Sequence, residues 1–308
     1  MSTFYISSAA NPVSDSLKNE SVQALRKVMQ TQQEWVKVHA AEFLIWSGNP
    51  GGVKEIYEEE LQKFNDKSPY RIGIWRVLAQ LSDGIERKDY EQKVLHAFLD
   101  TSGKDRVHAV ETLGKLKLSP YHAAPDVTKA ALESDNAALC GYSNWAMAYT
   151  DHNAMPDAQK YFYKQLMNPA ADITLRRIAA YVLRYIQGVS PAQWNECASY
   201  VMSMPNEAEG RIGFLTTVVM LADEASEKTD LYQSVYNALL EYRTEKNKGV
   251  RIELANALSV KGTGKDIAML VEWMRNQTPT GIASDDADVQ ASAAYAILKI
   301  SERLATTN

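Results

Sequence analysis

Two cysteines, five histidines, 15 glycines and 10 prolines are thinly spread over the 308 residues. Cys140 and Cys197 belong to no CxxC or other ligand spacing, so neither a disulfide framework nor a zinc site organises this chain. They read as two small buried thiols of a reducing compartment. Sparse glycine and proline suit a chain that is mostly helix. No basic run exceeds two residues and the net charge is −5, which argues against nucleic acid as a partner, because that binding draws on neutralised phosphates. The opening residues, MSTFYISSAANPVSDSLKNE, contain neither a basic n-region nor an apolar core. The longest apolar stretch, GFLTTVVMLA at 213–222, is about half of a bilayer span. The expectation is a soluble, cytoplasmic chain without a membrane span, unless a leader has been removed. A glycine-rich phosphate loop, a G-x-S-x-G elbow and an H-E-x-x-H helix are all missing, and no base is placed beside either cysteine. No catalytic constellation, metal or cofactor is therefore expected, and the chain does not read as an enzyme.

What the chain has is self-similarity. VKVHAAEFL at 36–44 returns as DRVHAVETL at 105–113. The frame, a basic residue leading a small-residue helix, recurs as RIGIWRVL at Arg71, RRIAAYVL at Arg176, RIGFLTTV at Arg211 and RIELANAL at Arg251. Degenerate copies stand at Gly141 and Gln290. The anchors at 37, 71, 106, 141, 176, 211, 251 and 290 keep a spacing of 34 or 35 residues five times, then 40 and 39. Between anchors lie amphipathic patterns such as GGVKEIYEEELQKF (51–64) and SPAQWNECASYVMSM (190–204), separated by breaker-rich joints. The unit is helix–turn–helix, and there are about eight if 17–30 is the first helix. One unit cannot bury its apolar stripe alone, but stacked neighbours can, so the expected fold is an all-α, curved α-solenoid. Residues 1–16 are expected to be a poorly ordered extension, 17–304 a single array, and 305–308 a tail. The wider spacings imply insertions around 222–230 and 276–286.

The Arg-led pattern resembles HEAT repeats of the short, lyase-type kind, whose second helix opens V-R-x-x-A-A-x-A-L; VKVHAAEFL and VRIELANAL follow it closely. The resemblance covers roughly 17–304, implies a right-handed solenoid, and is specific for the repeat class. Tetratricopeptide repeats share the 34-residue period, and DAQKYFYKQLMNP (157–169) would pass for one of their helices; the Arg-led helix favours HEAT. That family also tends to put an acid or amide in the turn before the Arg. Asn65, Asp100 and Asp135, six residues before anchors 71, 106 and 141, fit. The resemblance further implies that the Arg-led helices line a concave face.

His39/Glu42 and His108/Glu111, each at i, i+3, could be metal half-sites. The pairs lie two units apart, however, which puts them roughly 20 Å from each other at ordinary helix spacings. An iron-binding branch of HEAT proteins relies on adjacent His-Glu dipeptides, and this chain contains none. The basic anchors are expected to form a ladder of hydrogen bonds to the turn acids and carbonyls of neighbouring units rather than a phosphate stripe. Trp75, Trp145, Trp194 and Trp273 fall on apolar stripes and are expected in the core. The second and fifth positions after the anchors should project onto the concave face, carrying His39, Glu42, Arg76, His108, Glu111, Tyr181, Glu253, Asn256 and Tyr295. That polar mixture with occasional rings suits another protein or a peptide as partner, and so a non-enzymatic scaffold. The alternative is a small-molecule or glycan-binding solenoid ancillary to an enzyme or transporter, which a cluster of exposed Trp and Tyr in one pocket would favour.

Overall fold

The computed structural model describes residues 13–306. Among them are sixteen α-helices, three 3₁₀ turns and no strand, so the chain is all-α. The helices are α1 (Asp15–Thr31), α2 (Glu34–Trp46), α3 (Val53–Phe64), α4 (Tyr70–Leu81), α5 (Gly84–Leu99), α6 (Arg106–Lys115), α7 (Pro125–Leu132) and α8 (Ala137–Met147). They continue as α9 (Ala154–Met167), α10 (Ile173–Ile186), α11 (Pro191–Ser203), α12 (Arg211–Leu221), α13 (Asp230–Leu240), α14 (Lys248–Lys261), α15 (Ile267–Met274) and α16 (Ala283–Thr306). Their starts are encoded locally. Asn136, Asp172, Thr229 and Asn247 each accept a backbone N–H of their own first turn. Ser190 and Gln193 form a reciprocal capping box around Pro191.

The even-numbered helices are buried around most of their circumference, whereas the odd ones bury a stripe. Nine of the twelve residues of α4 are buried, but in α3 only Val53, Tyr57 and Glu60 are. Each even helix packs against the next, and α16 packs against α2 as well as α14, α15 and α1. The succession of inner helices therefore closes on itself, with the odd helices outside. Polar contacts mark the seam: Ser21 donates to Met274 Sδ (3.4 Å) and Arg275 grips Glu20 through two N–H groups at 2.7 Å each. Deeper in, His39 Nδ1 lies 2.9 Å from Asp288 Oδ1, and the rings of Phe43 and Tyr295 stack at 4.6 Å.

Five of the six basic anchors reach the helix pair that follows, as expected, Arg176 through the Tyr200 hydroxyl and Arg251 through the Thr278 carbonyl, whereas Arg106 bonds only within its own pair. Lys37 donates to Glu60 (2.8 Å) and Arg71 to Asp105 (2.6 Å). Arg106, Arg176 and Arg251 donate to the carbonyls of Phe98, Leu166 and Glu245, and Arg211 to the Tyr242 hydroxyl. The turn residues Asn65, Asp100 and Asp135 are not the acceptors; Asp100 instead closes its own turn on Ser102. Part of the expected extension, 1–12, lies outside the described residues, as do 307–308. Its last residues are packed rather than loose: Val13 is buried and Ser14 caps α1. Positions 305–306 continue α16.

Close approach of the inner helices depends on two glycines. A Cβ on Gly73 would lie 2.8 Å from Val38 Cγ2, and one on Gly114 would lie 2.5 Å from Trp145 Cδ2. Trp145 is fully buried and cannot step aside. Gly114→Ala should therefore destabilise the fold by about 1–3 kcal/mol through overpacking, outweighing the gain in helix propensity. Urea unfolding measures it; an unchanged midpoint would contradict this packing.

Candidate ligand cavity

Ring closure turns the inner faces toward one another. His39, Glu42, Glu111, Tyr181, Glu253 and Asn256, on four different helices, line a single axial cavity of about 320 Å³. Tyr295 lines an adjoining lobe of about 290 Å³, which shares Phe43, Trp46, Tyr181, Arg184, Tyr185 and Asn256 with the first. Two expected surface residues are not at a surface. Arg76 is 1% and Glu42 2% exposed, and they pair face to face through Nε–Oε1 (2.7 Å) and Nη2–Oε2 (2.9 Å). His108, half-buried, stacks on Trp35 with ring centroids 4.9 Å apart.

The two His-x-x-Glu pairs are closer than a two-unit separation along a gentle curve would place them. Trp35 of α2 stacks on His108 of α6 with ring centroids 4.9 Å apart, and the Lys115 charge of α6 acts on Glu42 of α2, so the two pairs converge on one region. The tight bend of the ring draws every second inner helix together. That convergence creates no metal site: the cations Arg76 and Lys115 stand between the carboxylates. Among the described residues, no group of three or more potential ligands is placed to hold a metal.

The cavity's charges answer one another. Glu111 pairs with Lys115 (2.9 Å) and Glu253 with Arg184 (2.8 Å). Arg184 also donates to Thr217 Oγ1 and the Gly213 carbonyl. Burial by itself would raise the Glu42 carboxyl, but the charges of Arg76 and Lys115 and the Arg76 hydrogen bonds reverse that and hold it below its ordinary value. Glu111 is held down in the same way, by Lys115 first and then Arg76. Burial lowers the His108 imidazole, against the pull of Glu111. It also raises the Tyr181 phenol, with Tyr185 and Glu111 adding to the effect, and pushes Tyr295 up to about 12.

Sequence reasoning missed more than half of the lining. Trp46, Lys115, Tyr185, Met220 and Val260 each stand nine residues after an anchor. That is one helical turn beyond the fifth position, so continuing the 3.6-residue step would have found them. Trp46 is 38%, Tyr185 44% and Val260 37% exposed. They account for three of the five large apolar side chains most exposed among the described residues, and all three line the same lobe. Trp75, Trp145, Trp194 and Trp273 are buried, as their stripes require; Cys197 is buried too, but Cys140 is only half-buried. No described helix is long and apolar enough to cross a membrane.

Arg76→Met should cost roughly 3–5 kcal/mol in urea unfolding at neutral pH, because it strands a buried carboxylate. Adding Glu42→Gln should restore most of it. Glu42 and Glu111 titrate below the ordinary 4.5 in the folded chain. Their stabilisation is therefore complete above that pH and lost as pH falls through the folded values. The gap between the parent and Arg76→Met should accordingly narrow in acid. No family model matches the chain, and no curated protein matches it.

Proposed function

We propose that this protein is a non-enzymatic binder that holds a small molecule or glycan in the axial cavity. In this reading its helix pairs are HEAT-like repeats, forming a right-handed solenoid bent until its ends meet. The basic-anchor ladder, in which five of six anchors reach the helix pair that follows, supports the repeat assignment. The observation that carries the function is the gathering of Trp46, Tyr185 and Val260 around one concave lobe. Amphipathic rings over a concave, partly polar site are what small-ligand recognition uses.

A protein-binding scaffold would need a long accessible face, whereas the packing of α16 on α1 and α2 turns the inner helices toward one another around a short concave site. General-acid chemistry needs a carboxyl raised toward neutrality; Glu42 and Glu111 are held down, which favours binding over turnover. The two free thiols fit a cytoplasmic setting.

The test is to expose the purified protein to a small-molecule extract of its own cells, re-isolate it, and release and identify what it retained by mass spectrometry. The control is the double variant Trp46→Ala/Tyr185→Ala, accepted only if it still unfolds in one cooperative urea transition, because both rings also pack on neighbouring rings. A compound retained by the parent and lost from the variant is the expected outcome. No compound enriched on the parent over the variant would overturn the proposal.

A further inference from the structure

The cavity's polar atoms divide into two sets, and the division identifies the chemistry of the ligand. Every charged side chain facing the cavity already has an opposite partner. Glu42 is bound to Arg76, Glu111 to Lys115, Glu253 to Arg184, and His39 sits on Asp288. Lys115 also lies over the Tyr181 ring, 5.9 Å from its centroid, so that ring's cation–π face is occupied from within. A charged ligand would have to break one of these pairs and strand its partner, which is costly because the paired side chains are largely buried. The cavity's polar groups that have neither an ion pair nor a hydrogen bond among the described residues are uncharged: the Asn256 amide and the Tyr142 and Tyr295 hydroxyls, Glu253 being held by its ion pair with Arg184. An amide both donates and accepts, as a hydroxyl does, and the set suits a ligand that is itself rich in hydroxyls.

Ring geometry narrows the class further. A flat aromatic ligand needs a slot between parallel rings. The one parallel pair among the described rings that line the cavity, Phe43 and Tyr295, is already stacked at 4.6 Å and leaves no gap. Elsewhere the rings meet at steep angles: Trp46 and Tyr295 at 64°, Tyr181 and Tyr185 at 62°, Trp145 and Tyr185 at 45°. Such single, angled faces offer apolar platforms to a puckered C–H surface rather than a stacking slot. We infer that the cavity takes an uncharged sugar, packed on Trp46 and Tyr185 and hydrogen-bonded by Asn256, Tyr142 and Tyr295. This rests on the cavity being a ligand site, as proposed above.

The test is a glycan array carrying neutral, sulfated, uronate-containing and amino-sugar glycans, probed with the labelled full chain and with Asn256→Ala. The expected result is retention on neutral glycans, reduced about tenfold or more in the variant by loss of the amide's hydrogen bonds. Circular dichroism of the variant shows that it is folded. Retention on charged glycans alone, or on none, overturns the inference. If the array is blank while extract capture recovers a compound that needs Trp46 and Tyr185, the cavity reading stands and the sugar falls. If both are blank, both fall.

Discussion

The interior depends on where α16 can sit. This helix touches α14, α15, α1 and α2 at once, and only a helix with little side-chain bulk can approach so many neighbours. Ala287, Ala291, Ala293, Ala294 and Ala296 provide that face, and all are buried. Larger residues there would hold α16 off α1 and α2, leaving the apolar stripes of the first and last helix pairs in water. Here each end caps the other. The cavity is a consequence: inner helices that would otherwise look outward over a groove face each other across the axis.

Closure creates an electrostatic problem and the sequence solves it in pairs. Helices two units apart come close enough for Trp35 to stack on His108, for Lys115 to act on Glu42, and for Arg184 to reach Glu253. A buried pair gives little net stability over an apolar one, yet an unpaired member would be expensive. The pairs therefore fix how the repeats face one another more than they strengthen the fold. They also leave the cavity without a spare charge, and rings and neutral hydrogen-bonding groups do what recognition remains.

The helices, their pairing and the phase of the array were legible in the sequence because they are local: caps, breakers and a 3.6-residue period act within a few residues. The second- and fifth-position rule found Glu42, Glu111, Tyr181 and Asn256, which do face inward. Arg76 and Glu42 obey the same rule but bury themselves on each other, which only the bend of the ring decides. Closure was not legible, since contacts between Glu20 and Arg275 or Phe43 and Tyr295 span nearly the whole chain and leave no local signal. The acceptors of the anchor ladder were misplaced for a similar reason. Asp105 and Glu60, not the turn residues Asn65 and Asp100, receive the cations. Loop geometry, rather than residue type, selects between two acids a few positions apart. The insertion at 276–286 proved useful rather than idle: Thr278 offers its carbonyl to Arg251, and Asp286 binds Thr280 to hold that loop.

Ring closure is the central claim, and one chemical contact reports on it. Arg275 and Glu20 meet side chain to side chain across the seam. With Arg275→Lys, a carbodiimide can join the new amine to the Glu20 carboxylate only if the two touch, because this reagent adds no spacer. Peptide mass spectrometry of the monomer fraction should find positions 20 and 275 linked in the same chain. An array whose ends lie apart would give no such link in the monomer, and that result would contradict the account.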